Sequence, residues 1–280
     1  MNARTVYRRV RTPLTLTATA TAAAALLATS VAPASAGKGS PSHDPKPTVV
    51  LVHGAFADST SWNGVIKKLQ RDGYPVVAAA NPLRGLSSDA AYVKELLAGI
   101  DGPVVLAGHS YGGSVISNAA RGADNVKALV YIAAFLPDKG ESALELSGKF
   151  PGSTLGEALH PVPITQPDGS QGTDLYIEQD KFHHQFAADV PKGTADLMAV
   201  TQRPVTSAAL EEGSGEPAWK TIPSWVLVTE QDLNIPPRVQ TFMAERAEAH
   251  TKEIRASHAV SVSRPGDVSR IIEDAARTVR

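Results

Sequence analysis

Gly108-His109-Ser110-Tyr111-Gly112-Gly113 is the stretch whose reading decides the fold. An apolar run, Pro103-Val104-Val105-Leu106-Ala107, precedes it, and a small-residue segment able to form a helix, Ser114 to Arg121, follows. A G-x-S-x-G pattern between a strand and a helix is a sharp turn that lifts a serine hydroxyl out of the top of a parallel sheet. A side chain at 108 or 112 would collide with the neighbouring strand or helix, and the strained backbone at Ser110 needs small neighbours. Patterns this short also arise by chance, so the turn gains its meaning from the chain around it.

Outward from the turn, apolar runs alternate with helical patterns. Thr48-Val49-Val50-Leu51-Val52 reads as a strand buried on both faces, ending in His53-Gly54-Ala55-Phe56. Ser61 to Leu69 has helical spacing and Gly73 stops it. Pro75 to Ala80 is a second strand. Ser87 to Ile100 is a helix capped by Ser87 or Ser88, with Tyr92, Val93, Leu96 and Leu97 on its apolar face. The serine turn ends the third strand, and Val126 to Phe135 is a fourth. From Leu136 to about Ile222 the alternation stops. This Pro-, Gly- and Ser-rich stretch, with short helical patterns at Thr194–Val200 and Ser207–Glu212, is too long for a simple connection. It reads as a cap inserted over the sheet at about 137–222. Alternation resumes with a strand at Ser224–Thr229, a helix at Pro236–Ala249, a strand at Thr251–Ala256 and a closing helix at Pro265–Val279. The expected fold class is α/β: a mainly parallel sheet of about six strands, with helices on both faces and the inserted cap.

The 280 residues are 42% hydrophobic and 20% charged with a formal charge of −1, which suits one globular domain with an ample core. The body has no basic cluster to suggest nucleic acid. With no cysteine, disulfides, thiolate metal sites, a cysteine nucleophile and a lipid anchor on cysteine are excluded. At the start, Arg4, Arg8, Arg9 and Arg11 precede an uncharged Thr/Ala/Leu segment, Leu14 to Val31, and then Ala34-Ser35-Ala36. This is the pattern of an export signal over residues 1–36. It is too short and too mildly apolar for a membrane anchor. A flexible tether at 37–47 and the folded body at 48–280 follow.

The functional groups of such a sheet collect at the carboxyl ends of its strands. Ser110, Asp232 and His258 all fall there, in that chain order. A serine needs a base to become nucleophilic, and imidazole can take its proton and pass it to a leaving group. A carboxylate fixes the ring tautomer. Glu230 is a weaker candidate for the acid. The oxygen anion formed on attack needs two N–H donors: Tyr111 for one, and Ala55 or Phe56 for the other. Trp62, Phe182, His183 and Phe186 are candidates for the substrate pocket. His53 and His109 read as structural, His250 as a surface residue, and Trp219 and Trp225 as core. Adjacent His183 and His184 point different ways on a helix and do not make a metal pair.

His53-Gly54-Ala55-Phe56 with Trp62, the serine turn, Leu129-Val130-Tyr131-Ile132-Ala133-Ala134-Phe135, the Asp232 loop and His258 together resemble the α/β-hydrolase superfamily over residues 48–280. More narrowly they resemble its capped bacterial serine esterases, which are similar to the hydroxynitrile lyase and plant methyl-ester esterase group. The resemblance implies hydrolysis of small-molecule carboxylic esters without a cofactor or a metal, and gives Asp138, after the fourth strand, as the family's alternative location for the acid. A cofactor-free perhydrolase or haloperoxidase, and a ligand-binding protein on the same fold, are the alternatives. The lyases carry lysine after the triad histidine, where this chain has Ala259, and haloalkane dehalogenases need Asp in place of Ser110.

Overall fold

The computed structural model describes residues 45–166 and 169–279. The expected export signal and residues 37–44 of the expected tether lie outside the described residues. At 45–47 the chain is already fastened to the body: Pro47 is buried, and the Lys46 ammonium sits over the Tyr74 ring at 4.2 Å.

Strand β1 (Thr48–Val52) leads through a single 3₁₀ turn into α1 (Asn63–Arg71), then β2 (Val76–Ala79) and α2 (Leu86–Ala98). Helix α2 starts one residue earlier than expected, on Gly85 and with no side-chain cap; Ser88 instead donates to the Gly85 carbonyl from inside the helix. Its buried face is Leu86, Ala90, Val93 and Leu97, while Tyr92 is 42% exposed. Strand β3 (Val104–His109) runs into the serine turn, followed by α3 (Tyr111–Ala119) and β4 (Val126–Ile132).

The chain then leaves the sheet to build the cap. Short helices α4 (Ala143–Ser147) and α5 (Leu155–Ala158) precede a hairpin of β5 (Leu159–Thr165) and β6 (Gln171–Ile177). Helices α6 (Gln179–Phe186) and α7 (Lys192–Thr201), the two-residue β7 (Val205–Thr206) and α8 (Ser207–Glu211) complete it. The cap thus carries its own antiparallel sheet, in the order β5-β6-β7. This sheet is absent from the sequence-based expectation, because Pro161 and Pro163 interrupt the β5 pattern. Both are tolerated because β5 is an edge strand, where a missing N–H breaks no second ladder.

The body resumes with β8 (Ser224–Thr229), α9 (Pro237–Arg246), β9 (His250–Ile254), the single turn α10 (Val260–Ser263) and α11 (Pro265–Ala276). Six strands pair in the order β2-β1-β3-β4-β8-β9, every pair parallel. Successive side chains of a strand point to opposite faces, so each run of apolar residues feeds two cores. Val50, Val52, Leu106, Leu129, Tyr131 and Val226 pack with α2, α3 and α9 on one face. Val49, Leu51, Val105, Val130 and Leu227 pack with α1, α10 and α11 on the other. The cap joins the first of these cores only.

At the serine turn the glycines are required by close approach. A Cβ on Gly108 would lie 2.5 Å from the Gly112 carbonyl oxygen, and one on Gly112 would lie 2.5 Å from that of Val52. Sheet and helix α3 meet there at backbone distance.

Candidate active site

Ser110 stands between the end of β3 and the start of α3 with φ 54° and ψ −126°, a conformation that a residue with a side chain rarely adopts. Strain of this kind costs on the order of 1–3 kcal/mol and persists only where the surroundings impose it. Here they do. The Ser110 carbonyl accepts from the N–H groups of Gly113 and Phe135 at 2.9 and 3.2 Å, and its own N–H donates to Ile132 at 3.3 Å. The hydroxyl is thereby aimed at His258, whose Nε2 is 2.8 Å away.

The loops after β8 and β9 bring the other two groups to the same point. His258 Nδ1 lies 2.7 Å from Asp232 Oδ2. Asp232 is 3% exposed and, among the described residues, has no lysine or arginine against it, so its oxygens are met by dipoles instead. Oδ1 accepts from the N–H groups of Asn234 and Ile235 at 2.8 and 2.9 Å. Oδ2 accepts from Thr229 Oγ1 and Gln240 Nε2, each at 3.0 Å. An ionised carboxylate only accepts, so Nδ1 of His258 carries the proton and Nε2 is left to accept from Ser110. Thr229 and Gln240 escaped the sequence reading. The available signal was a glutamine on the inner face of α9, eight residues after Asp232, with no solvent to face.

Two further histidines pack around the relay. His109 Nε2 donates to the His258 carbonyl at 2.9 Å, and the two rings lie 4.7 Å apart. Burial, reinforced by the neighbouring His258, pushes the His109 pKa down to about 3, so this ring stays neutral. Burial lowers that of His53 as well; its Nδ1 meets the Gly54 carbonyl at 2.9 Å. Both residues are structural in geometry, and neither adds charge beside the base.

Of the expected anion donors, two remain free and one does not. Tyr111 is the first residue of α3, so its N–H has no carbonyl a turn earlier to bond. The Ala55 N–H has no acceptor among the described residues. The Phe56 N–H, by contrast, donates to the Arg203 carbonyl at 3.0 Å and is spent on holding the loop, with φ 59° at Phe56. Tyr111 is fixed from its far end, where its hydroxyl donates to buried Asp89 at 2.9 Å. Burial raises the pKa of both groups, and Asp89 and Arg84 are linked through the latter's N–H at 3.1 Å.

Ser110 and His258 open on a cavity of about 330 Å³ between body and cap. Leu144, Leu155, Leu159, Leu175 and Leu210 supply its cap side. Phe135 and Ile235 face them from the body. Ser207, Leu210 and Glu211, at helical spacing, turn one face of α8 to the cavity, and Glu211 is the one carboxylate among the described lining residues. None of the four residues expected on the pocket wall lines it. Trp62 is fully buried in the opposite core, edge-on to His109 at 6.3 Å, because its 3₁₀ turn packs under the sheet with α1 and α11. Phe182 and Phe186 are interior to the cap, and the Phe186 ring meets that of His258 at 4.9 Å from behind. His183 donates to the Val190 carbonyl at 2.9 Å and holds the turn after α6. Asp138 is ion-paired with Lys220 at 2.6 Å, and Glu230 is exposed. Among the described residues no cluster of His, Asp and Glu could hold a metal ion, and no helix is long and apolar enough to cross a membrane.

Comparison with known proteins agrees with this architecture. The chain is 27% identical over 256 residues to an alpha/beta hydrolase, nvfD, of Aspergillus novofumigatus, covering 82% of this chain and 97% of that one. Methylesterase 2 of Arabidopsis thaliana is 24% identical, with 69% and 81% of the two chains covered. Among solved structures, polyneuridine aldehyde esterase superposes with a TM-score of 0.72 at 20% identity, over 82% of this chain and 98% of its own. A profile described as the alpha/beta hydrolase family matches residues 49–271. The chain belongs to the alpha/beta hydrolase family.

Proposed function

We propose that the protein hydrolyses uncharged carboxylic esters with apolar substituents, through an acyl-enzyme on Ser110. The observation that carries this reading is the relay from Ser110 Oγ to His258 to Asp232, at 2.8 and 2.7 Å, opening on an apolar cavity. Relatives named as esterases, a methylesterase and a carbendazim-hydrolysing enzyme of Nocardioides among them, support it.

In the reaction Ser110 Oγ attacks the ester carbonyl carbon while its proton passes to His258 Nε2. Asp232 holds Nδ1–H and stabilises the imidazolium that forms. The carbonyl oxygen becomes an anion between the N–H groups of Tyr111 and Ala55; each such donor is worth about 2.7–4 kcal/mol of barrier in comparable sites. Collapse expels the alcohol with the proton from His258. A water then repeats the sequence on the acyl-enzyme and releases the carboxylic acid and free serine.

Cavities of roughly 300–1,000 Å³ accommodate small molecules; at about 330 Å³ this one takes a small ester. Its walls offer no cation for an acidic substrate, and Glu211 would repel one. The export pattern at residues 1–36 supports an extracellular place of work.

The test is turnover of a panel of p-nitrophenyl esters. Acetate to hexanoate esters should be hydrolysed, and Ser110→Ala should lower kcat by at least about 10⁴-fold. Turnover that survives Ser110→Ala would refute the proposal.

A further inference from the structure

The base and the acid sit on different loops, and one end of a cap helix reaches both. Gln185, in the last turn of α6, is 6% exposed. Its Nε2 donates to the Leu233 carbonyl at 2.9 Å and to Asn234 Oδ1 at 2.7 Å, within the loop that presents Asp232. Its Oε1 accepts from Thr154 Oγ1 at 2.8 Å, and Thr154 N–H itself donates to the Leu233 carbonyl at 3.0 Å. The next residue, Phe186, gives its carbonyl to the Ala259 N–H at 2.9 Å and its ring to His258. Just past the helix, Asp189 accepts from Ser257 Oγ. Residues 233–234 and 257–259 are therefore gripped by a segment five residues long, 185–189. On the body side the same loops are held by the N–H groups of Glu230 and Gln231 on Ile254 and Ala256 at 3.0 and 3.1 Å, by Gln240 on Asp232 and the Ile235 carbonyl, and by His109 on the His258 carbonyl.

We propose that Gln185 is a positioning residue for the Asp232–His258 pair, so that the cap, besides shaping the cavity, sets the alignment of the relay. The proposal rests on the serine-hydrolase reading. Its physical basis is the tolerance of proton relays to misplacement, where a shift of about 1 Å costs on the order of 10²-fold in rate. Gln185 does not line the cavity, so it touches no substrate and acts through the loop.

Gln185→Glu keeps the length of the side chain and the acceptor for Thr154, but turns a carboxylate toward two carbonyl oxygens. Gln185→Met removes the donors without adding charge. Both are assayed with an acetate and a hexanoate p-nitrophenyl ester, by rate of inactivation with a fluorophosphonate, and by melting temperature. The expected result is a fall in kcat of about ten- to hundredfold, equal for the two esters. KM should stay within twofold, and fluorophosphonate inactivation should slow in parallel, in whichever variant remains folded at the assay temperature. Unchanged kcat would overturn the proposal. So would a raised KM with normal kcat, or a loss that tracks only the fraction unfolded. Loss of folding in both variants would overturn it too, by making Gln185 a residue of stability. Failure of the underlying reading has a separate signature, wild-type turnover by Ser110→Ala.

Discussion

Replacing Asp232 by asparagine probes the relay where the structure is most explicit. Five donors converge on the carboxylate: two backbone N–H groups on Oδ1, and Thr229, Gln240 and His258 on Oδ2. An asparagine keeps one acceptor oxygen. If that oxygen takes the place of Oδ1 and keeps the two backbone bonds, the amide NH₂ falls where Oδ2 was. It then faces the Gln240 amide, itself a donor, and His258 Nδ1. The hydroxyl of Thr229 can rotate to accept; the imidazole can accept at Nδ1 only by moving its proton to Nε2. In that tautomer Nε2 no longer accepts from Ser110 at 2.8 Å, and the nucleophile has no base. The expected loss in kcat is about 10⁴-fold, or roughly 5 kcal/mol of barrier. The lost Gln240 bond adds about 0.5–1.5 kcal/mol of lost stability, since that amide keeps Thr229 Oγ1 and the Ile235 carbonyl as acceptors at 3.1 and 2.8 Å. Steady-state hydrolysis of p-nitrophenyl acetate measures the first effect and urea unfolding the second. Turnover within tenfold of wild type would refute the tautomer argument. Asp138 would not then inherit the role, since Lys220 already occupies it and, as its main cause, holds its pKa below the usual carboxylate value.

Further outcomes follow from the same geometry. Glu211→Gln should leave kcat/KM for uncharged esters unchanged and raise it roughly two- to twentyfold for esters carrying a carboxylate. That range is Coulomb's law for two charges taken ~9 Å apart, roughly the width of a cavity of about 330 Å³, in an effective dielectric between about 80 and 20; parallel progress curves on a neutral and an anionic ester decide it. Acid should destabilise the fold through His109. Its pKa in the fold is about 3 against 6.5 when unfolded, so the unfolded chain binds a proton that the fold excludes. The stability from the neutral ring is complete above about pH 6.5 and declines toward pH 3, by up to about 1.4 kcal/mol per unit. His53 adds in the same direction. Urea midpoints between pH 7 and 4 should fall less steeply in His109→Gln, and equal slopes would count against the assignment. Gly112→Ala places a Cβ 2.5 Å from the Val52 carbonyl oxygen, and the variant should lose the fold or at least several degrees of melting temperature by circular dichroism.

The sheet was legible because parallel strands buried on both faces need unbroken apolar runs, and Thr48–Val52 and Ser224–Thr229 have no other use. The relay was legible because Ser110, Asp232 and His258 each stand at a strand's carboxyl end, a position that chain order alone reveals. What stayed hidden depends on distance rather than order. No pattern in the sequence shows that the Arg203 carbonyl, 147 residues away, takes the Phe56 N–H out of the anion site. Trp62, beside the first loop in sequence, was drawn to the pocket, but its helical turn places it under the sheet. The pocket leucines of the cap could not be told from core leucines, because the hairpin that presents Leu159 and Leu175 is obscured by its two prolines. The aromatic residues Phe182 and Phe186 drew attention by size, whereas the chemistry of α6 lies in the glutamine between them.

The central claim, that Ser110 is the nucleophile and His258 its base, is tested most directly by the mass of the protein after exposure to a fluorophosphonate. A single adduct on the peptide containing Ser110, absent in Ser110→Ala and formed much more slowly in His258→Ala, is the predicted result. Labelling that persists in Ser110→Ala, or proceeds at the wild-type rate without His258, would contradict the account.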